Sequence, residues 1–170
     1  MEKPLLKISV RVALLIMALR LVLHLGSLDT SWSESFYWFC NLAALPAMSI
    51  YALWPRRKGA TLSQGFLVDA RESMKMLGLY SLLMTLFFFV YYGYIDSDFF
   101  PTMHEKIVQQ ELEQAEADVD AATLRQRVEG FFSLRNGTAV LLALYIALSA
   151  FYSILFAALR RAAAKVRQDR

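Results

Sequence analysis

Residues Leu82–Val90 read LLMTLFFFV, and residues Thr138–Ala150 read TAVLLALYIALSA. A helix on the surface of a soluble bundle carries a polar stripe at 3.6-residue spacing. Neither of these runs has one; both are apolar on every side. That excludes a soluble four-helix bundle and predicts helices whose solvent is lipid.

Working outward, four runs are long enough to cross a hydrocarbon core, which takes about 20 helical residues for about 30 Å. They cover roughly residues 5–25, 36–54, 76–95 and 139–159. The predicted architecture is an all-α, integral-membrane four-helix bundle. It forms a single domain over residues 1–170, with a helical extracytoplasmic loop at 96–137. The first run follows Lys3, Lys7 and Arg11, as a signal peptide would. A cleavable one ends in small residues, whereas this chain continues Arg20-Leu-Val-Leu-His24-Leu-Gly26. An uncleaved span is therefore expected, and no cysteine closes the core as in a lipoprotein.

Composition agrees. Of 170 residues, 57% are apolar and only 19% charged, against about 25% charged in ordinary domains. Disordered, collagen-like and highly charged nucleic-acid-binding classes are excluded. The single cysteine, Cys40, excludes an internal disulfide framework and a cysteine-rich zinc site.

The net charge of +3 conceals a strong asymmetry. Thirteen of the 18 basic residues flank the spans on the side of the termini, four lie opposite, and Arg20 lies within a span. Acidic residues divide four against eleven, so the two faces carry about +9 and −7. Basic flanks remain in the cytoplasm, which predicts cytoplasmic N- and C-termini. Trp32, Tyr37 and Trp38 at one end of the second run, Tyr51 and Trp54 at the other, and Tyr91, Tyr92 and Tyr94 after the third are placed as interfacial aromatics.

Among the connections, Gly26–Ser35 is short enough to force an antiparallel pair. The next opens with Pro55-Arg-Arg-Lys-Gly59, a helix stop and a basic cluster suited to anionic lipid. Leu62, Phe66, Leu67, Ala70 and Met74 then recur at helical spacing, either as an interfacial approach or as an early start to the third helix. In the long loop, Thr102-Met-His-Glu105 matches a capping box with Pro101 upstream, predicting a helix start. A second helix is expected over Ala121–Phe132 with Asp120 as N-cap. Asn136-Gly137-Thr138 reads as a turn in which Thr138 caps the last span, rather than as a glycosylation site. Glu116, Asp118 and Asp120 alternate like part of a calcium loop but lack its glycine and final glutamate, so a solvated acidic face is expected.

Ionisable groups within spans are functional candidates. Here they are Arg11, Arg20 and His24; Arg11 is expected to snorkel and His24 to sit at the rim. Arg20 lies roughly 7 Å outward of mid-span, at a depth shared by Asn41, by Tyr91 or Tyr92, and by Tyr145. These five residues form the candidate intramembrane polar layer, with Glu34 and Asp96 as charge partners at the rim. A packing anchor, an anion or ligand site and a gating role remain open for Arg20. Pro46 removes a backbone donor in mid-span and predicts a kink. Ala43 and Ala47, Ala143 and Ala147, and Ser149 and Ser153 are small residues four apart, a packing signal within the chain or between copies.

The common nucleotide-binding and hydrolase motifs are absent from the sequence. Two histidines are too few for a convincing metal site. No carboxylate lies within a predicted span, which speaks against a proton-coupled exporter. No catalytic residues, cofactor, metal or nucleic-acid partner are therefore expected.

Three features resemble an uncharacterised family of small four-span bacterial membrane proteins, a domain of unknown function. They are Lys58-Gly59 followed by Thr61-Leu-Ser-Gln-Gly-Phe66, the segment Tyr91-Tyr-Gly-Tyr-Ile-Asp-Ser-Asp-Phe99, and the acidic helical loop before the last span. Ser97 stands where the family tends to have proline. The resemblance implies the four-span fold and a bacterial inner-membrane location, with no catalytic residues to transfer. The expectation is a non-enzymatic accessory or assembly component, with the bilayer and a membrane-protein partner or second copy as its contacts. The alternative is a small oligomeric transporter or channel with a polar layer around Arg20.

Overall fold

The apolar runs fold as helices because a backbone in lipid must satisfy its own N–H and C=O groups. The computed structural model describes residues 3–26, 31–53, 65–114 and 121–168. All regular structure among them is helical. The elements are α1 (Lys3–Leu25), α2 (Ser31–Leu53), α3 (Phe66–Val90), a π turn (Tyr91–Ile95), α4 (Phe99–Gln114), α5 (Ala121–Phe131) and α6 (Leu134–Gln168). Among the described residues, four segments are long and apolar enough to cross a membrane: Leu5–Leu25, Ser31–Leu53, Phe66–Ile95 and Leu134–Ala163. Asp120, the Glu116–Asp120 alternation, Trp54, the Pro55–Gly59 cluster and the motif up to Gln64 lie outside the described residues.

Several boundaries differ from the sequence expectation. α2 begins at Ser31 rather than near Phe36. α3 begins at Phe66, so the amphipathic approach is the first turns of the third helix. Asp69 stands in its first turn, where a carboxylate complements the helix dipole. The Thr102–Glu105 capping box does not open α4, which starts at Phe99; the Thr102 N–H already bonds the Asp98 carbonyl at 3.0 Å. Pro101 is tolerated in the first turn because an N–H there has no intrahelical acceptor to lose. α6 likewise starts before Thr138, whose hydroxyl bonds back to the Leu134 carbonyl at 2.7 Å. Ser133 is the cap instead, accepting from the Asn136 N–H at 3.3 Å. Asn136 is thus helical, and its side-chain amide donates to the Gly130 carbonyl at 2.6 Å. Pro46 lies inside α2, which continues as one helix through it.

Contacts cluster in two units: Met1–Met84 with Leu144–Arg170, and Thr85–Ala143. The second unit holds the end of α3, the π turn, the packed α4–α5 pair and the start of α6. The π turn is closed by the Asp96 N–H bonding five residues back to the Tyr91 carbonyl at 2.9 Å. Phe88, Tyr92, Phe99 and Phe100 pack there ring on ring, the centroids of Tyr92 and Phe99 lying 4.5 Å apart and those of Phe88 and Tyr92 4.7 Å. Glycine permits the close approach: a β-carbon at Gly93 would lie 3.2 Å from Leu134, and one at Gly137 3.2 Å from Phe100. His104 Nε2–H donates to the Phe132 carbonyl at 2.7 Å, tying α4 to the end of α5.

Candidate functional site

Buried residues of the first unit recur at steps of three or four, the spacing that keeps side chains on one helix face. On α1 they are Ser9, Ala13, Ile16 and Arg20; on α2, Ser33, Tyr37, Asn41, Leu45, Ser49 and Leu53. α3 contributes Ser73, Leu77, Tyr80, Ser81 and Met84, and α6 contributes Tyr145, Ser149, Ser153 and Ala157. Each face carries polar groups where water-soluble helices put leucine. Lipid is as apolar as leucine, so close approach and hydrogen bonds hold such helices together.

Those polar groups bond to one another across helix boundaries. The Ser153 hydroxyl donates to Ser73 at 3.2 Å, and Ser73 shares a second bond with Ser49, also at 3.2 Å. One hydroxyl thereby joins α2, α3 and α6. Ser81 pairs with Ser149 at 3.1 Å, and the Ser81 hydroxyl also lies 2.8 Å from the Leu77 carbonyl. The Tyr80 hydroxyl sits 2.6 Å from Asn41 Oδ1 and 3.1 Å from the Asn41 carbonyl. Ser9 of α1 donates to the main-chain carbonyl of Met76 at 2.8 Å. These pairs also set the topology. Residue numbers fall on α2 and α6 as they rise on α3, so α3 runs antiparallel to both.

The candidate layer named from the sequence divides between the two units. Arg20 is only 3% exposed. Its guanidinium lies over the Tyr37 ring at 5.6 Å and 3.9 Å from the Glu34 carboxylate. Asn41 is engaged by Tyr80. Tyr145 is fully buried, its ring edge-on to Tyr80 at 6.2 Å, and its hydroxyl lies beside the Asn41 side chain without hydrogen-bond geometry. Tyr91 and Tyr92 belong to the second unit and its aromatic cluster. Ala43, Ala47, Ala143 and Ala147 are exposed, so within this chain only the serines of the small-residue pattern pack inward.

At the end of the unit where α3 begins, Arg160 bonds Asp69 at 2.9 Å and Arg161 lies 3.8 Å from its other oxygen. Arg161 also covers the Phe66 ring at 5.8 Å.

Sequence reading did not identify Ser9, Ser49, Ser73, Tyr80, Ser81 or the Asp69–Arg160 pair. The available signal was Ser73 and Ser81 at two steps of four on α3, matched by Ser149 and Ser153 on α6. Chemically, the arrangement locks helices: the hydroxyls of Ser9, Ser49, Ser73, Tyr80, Ser81, Ser149 and Ser153 and the Asn41 amide are used across interfaces. No group of three or more His, Cys, Asp or Glu able to hold a metal occurs among the described residues. Comparison with known proteins finds no matching family model, curated protein or solved structure.

Proposed function

We propose that this chain is a four-span protein of the bacterial cytoplasmic membrane, with both termini in the cytoplasm, acting as a non-enzymatic accessory or assembly component. The observation that carries this reading is the serine bridge from Ser49 through Ser73 to Ser153, which uses interior polar groups to fasten helices. The +9 and −7 faces support the orientation. The acidic loop gives a partner a charged surface, and the family resemblance supports the bacterial location.

Crosslinking and pull-down of the full-length protein from native membrane tests the role. A membrane-protein partner in constant ratio is expected. Recovery of the chain alone, together with ion or solute flux in reconstituted vesicles, would overturn it. Labelling single cysteines from either side tests the orientation, with the 96–114 segment expected to react from outside.

The burial of Arg20 favours a second reading, a small oligomeric transporter or channel with its polar layer around that guanidinium. Arg20→Gln distinguishes the two. An anchor tolerates glutamine with expression retained, whereas selective loss of flux in a folded protein supports transport.

A further inference from the structure

Charge within the long loop is segregated. Residues 96–120 hold eight acidic residues and a single basic one, Lys106. Residues 121–137 reverse this, with Arg125, Arg127 and Arg135 against Glu129 alone. All three arginines are exposed. At the end of α5, Phe131 is 79% exposed and Phe132 40%, with Leu112 on α4 at 38%. Tyr94, in the last turn of the third span, is 78% exposed.

Chain connectivity fixes where these rings lie. Phe131 precedes the first residue of the fourth span by three residues, a reach of about 10 Å at most. Tyr94 ends the third span, and Gly93 beside it lies against Leu134 at the start of the fourth. Both rings therefore sit where spans leave hydrocarbon, the level at which aromatic side chains partition among headgroups. On α5, Val128 faces inward, while Arg127 and Phe131, four apart, share another face.

We infer that α5 and its junction with α6 form a membrane-surface element, with Phe131, Phe132 and Tyr94 at headgroup depth and Arg125, Arg127 and Arg135 on the phosphates of anionic phospholipid. The α4 arm, rich in carboxylates, is repelled by the same surface and faces water. This inference rests on the membrane-spanning reading above. It adds that the connection between the third and fourth spans is divided into a lipid-seated half and a solvent half.

The test uses the full chain with Cys40→Ser, reconstituted into phosphatidylcholine vesicles with and without phosphatidylglycerol. Single cysteines replace Phe131, Glu113 on α4 or Leu82 in mid-span, each labelled with an environment-sensitive fluorophore. At position 131, blue-shifted emission is expected, quenched by lipid carrying a nitroxide near its headgroup; at 113, emission should be water-like. On anionic vesicles, Arg125→Gln/Arg127→Gln/Arg135→Gln should lower the seated-to-lifted ratio by about a hundredfold, each arginine counting for about fivefold. Water-like emission at 131 with deep quenching at 82 overturns this inference and leaves the spans intact. Blue-shifted emission that lipid does not quench means that protein covers the face, and also overturns it. No quenching at 82 overturns the spanning reading and this inference together. Unchanged emission in the triple variant removes the arginines from the proposal.

Discussion

The two units solve the same problem with opposite materials. In the first, α2, α3 and α6 meet through serines, one asparagine and one tyrosine hydroxyl. In the second, the end of α3, the π turn and α4 meet through phenylalanine and tyrosine rings. Where lipid surrounds the helices, burying more hydrocarbon gains little, and short polar contacts supply the attraction. At the end of the third apolar segment, large rings pack on one another and on α4, and aromatic pairs add specific geometry.

Four single substitutions, with one engineered disulfide as a reporter, can break or sharpen this contrast. Phe100→Ala should be the most disruptive, removing a nearly buried ring from the second unit at about 3–5 kcal/mol. Protease sensitivity of the α4–α5 pair should rise sharply. A Ser49→Cys/Ser73→Cys disulfide in the first unit, within reach because the hydroxyls lie 3.2 Å apart, should still form. Failure of that disulfide would show that the two cores melt together. Ser73→Leu comes next, at about 1–3 kcal/mol from overpacking a close helix contact. It should lower the midpoint of unfolding in a denaturing detergent titration and leave protease sensitivity of α4–α5 unchanged. Tyr80→Phe removes the hydroxyl at Asn41 and should cost about 1 kcal/mol in the same titration. A neutral result would mean that ring packing, rather than the hydrogen bond, holds that level. Asp69→Asn should be the mildest, under about 1 kcal/mol and shrinking as salt rises, because its arginine partners are partly exposed.

The number of helices and their membrane character were legible in the sequence because an apolar run of some twenty residues has few soluble alternatives. Helix starts were less so. At α4, a well-formed capping signal at Thr102 competed with Asp98, and Pro101 proved compatible with a first turn. At α6, Ser133 displaced Thr138 as cap because the helix extends one turn further than its apolar run. The inward faces were the least legible. Alanine and serine are equally small, so spacing alone did not separate lipid-facing Ala43, Ala47, Ala143 and Ala147 from buried Ser149 and Ser153. What separates them is hydrogen-bonding capacity, and that has value only opposite a partner such as Ser73 or Ser81, whose location depends on register. Arg20 was recognisable as an unusual residue from its charge alone, whereas its seat over Tyr37 requires the antiparallel α1–α2 pairing.

The bond from Ser9 to the Met76 carbonyl has a consequence for how the chain can change. The serine–serine contacts need matched side chains, so drift at Ser73 constrains Ser49 and Ser153 in turn. A main-chain carbonyl is present whatever residue occupies position 76. At this contact α1 therefore docks against a feature of α3 that single substitutions do not erase, and the two helices are free to diverge in sequence there without renegotiating their fit.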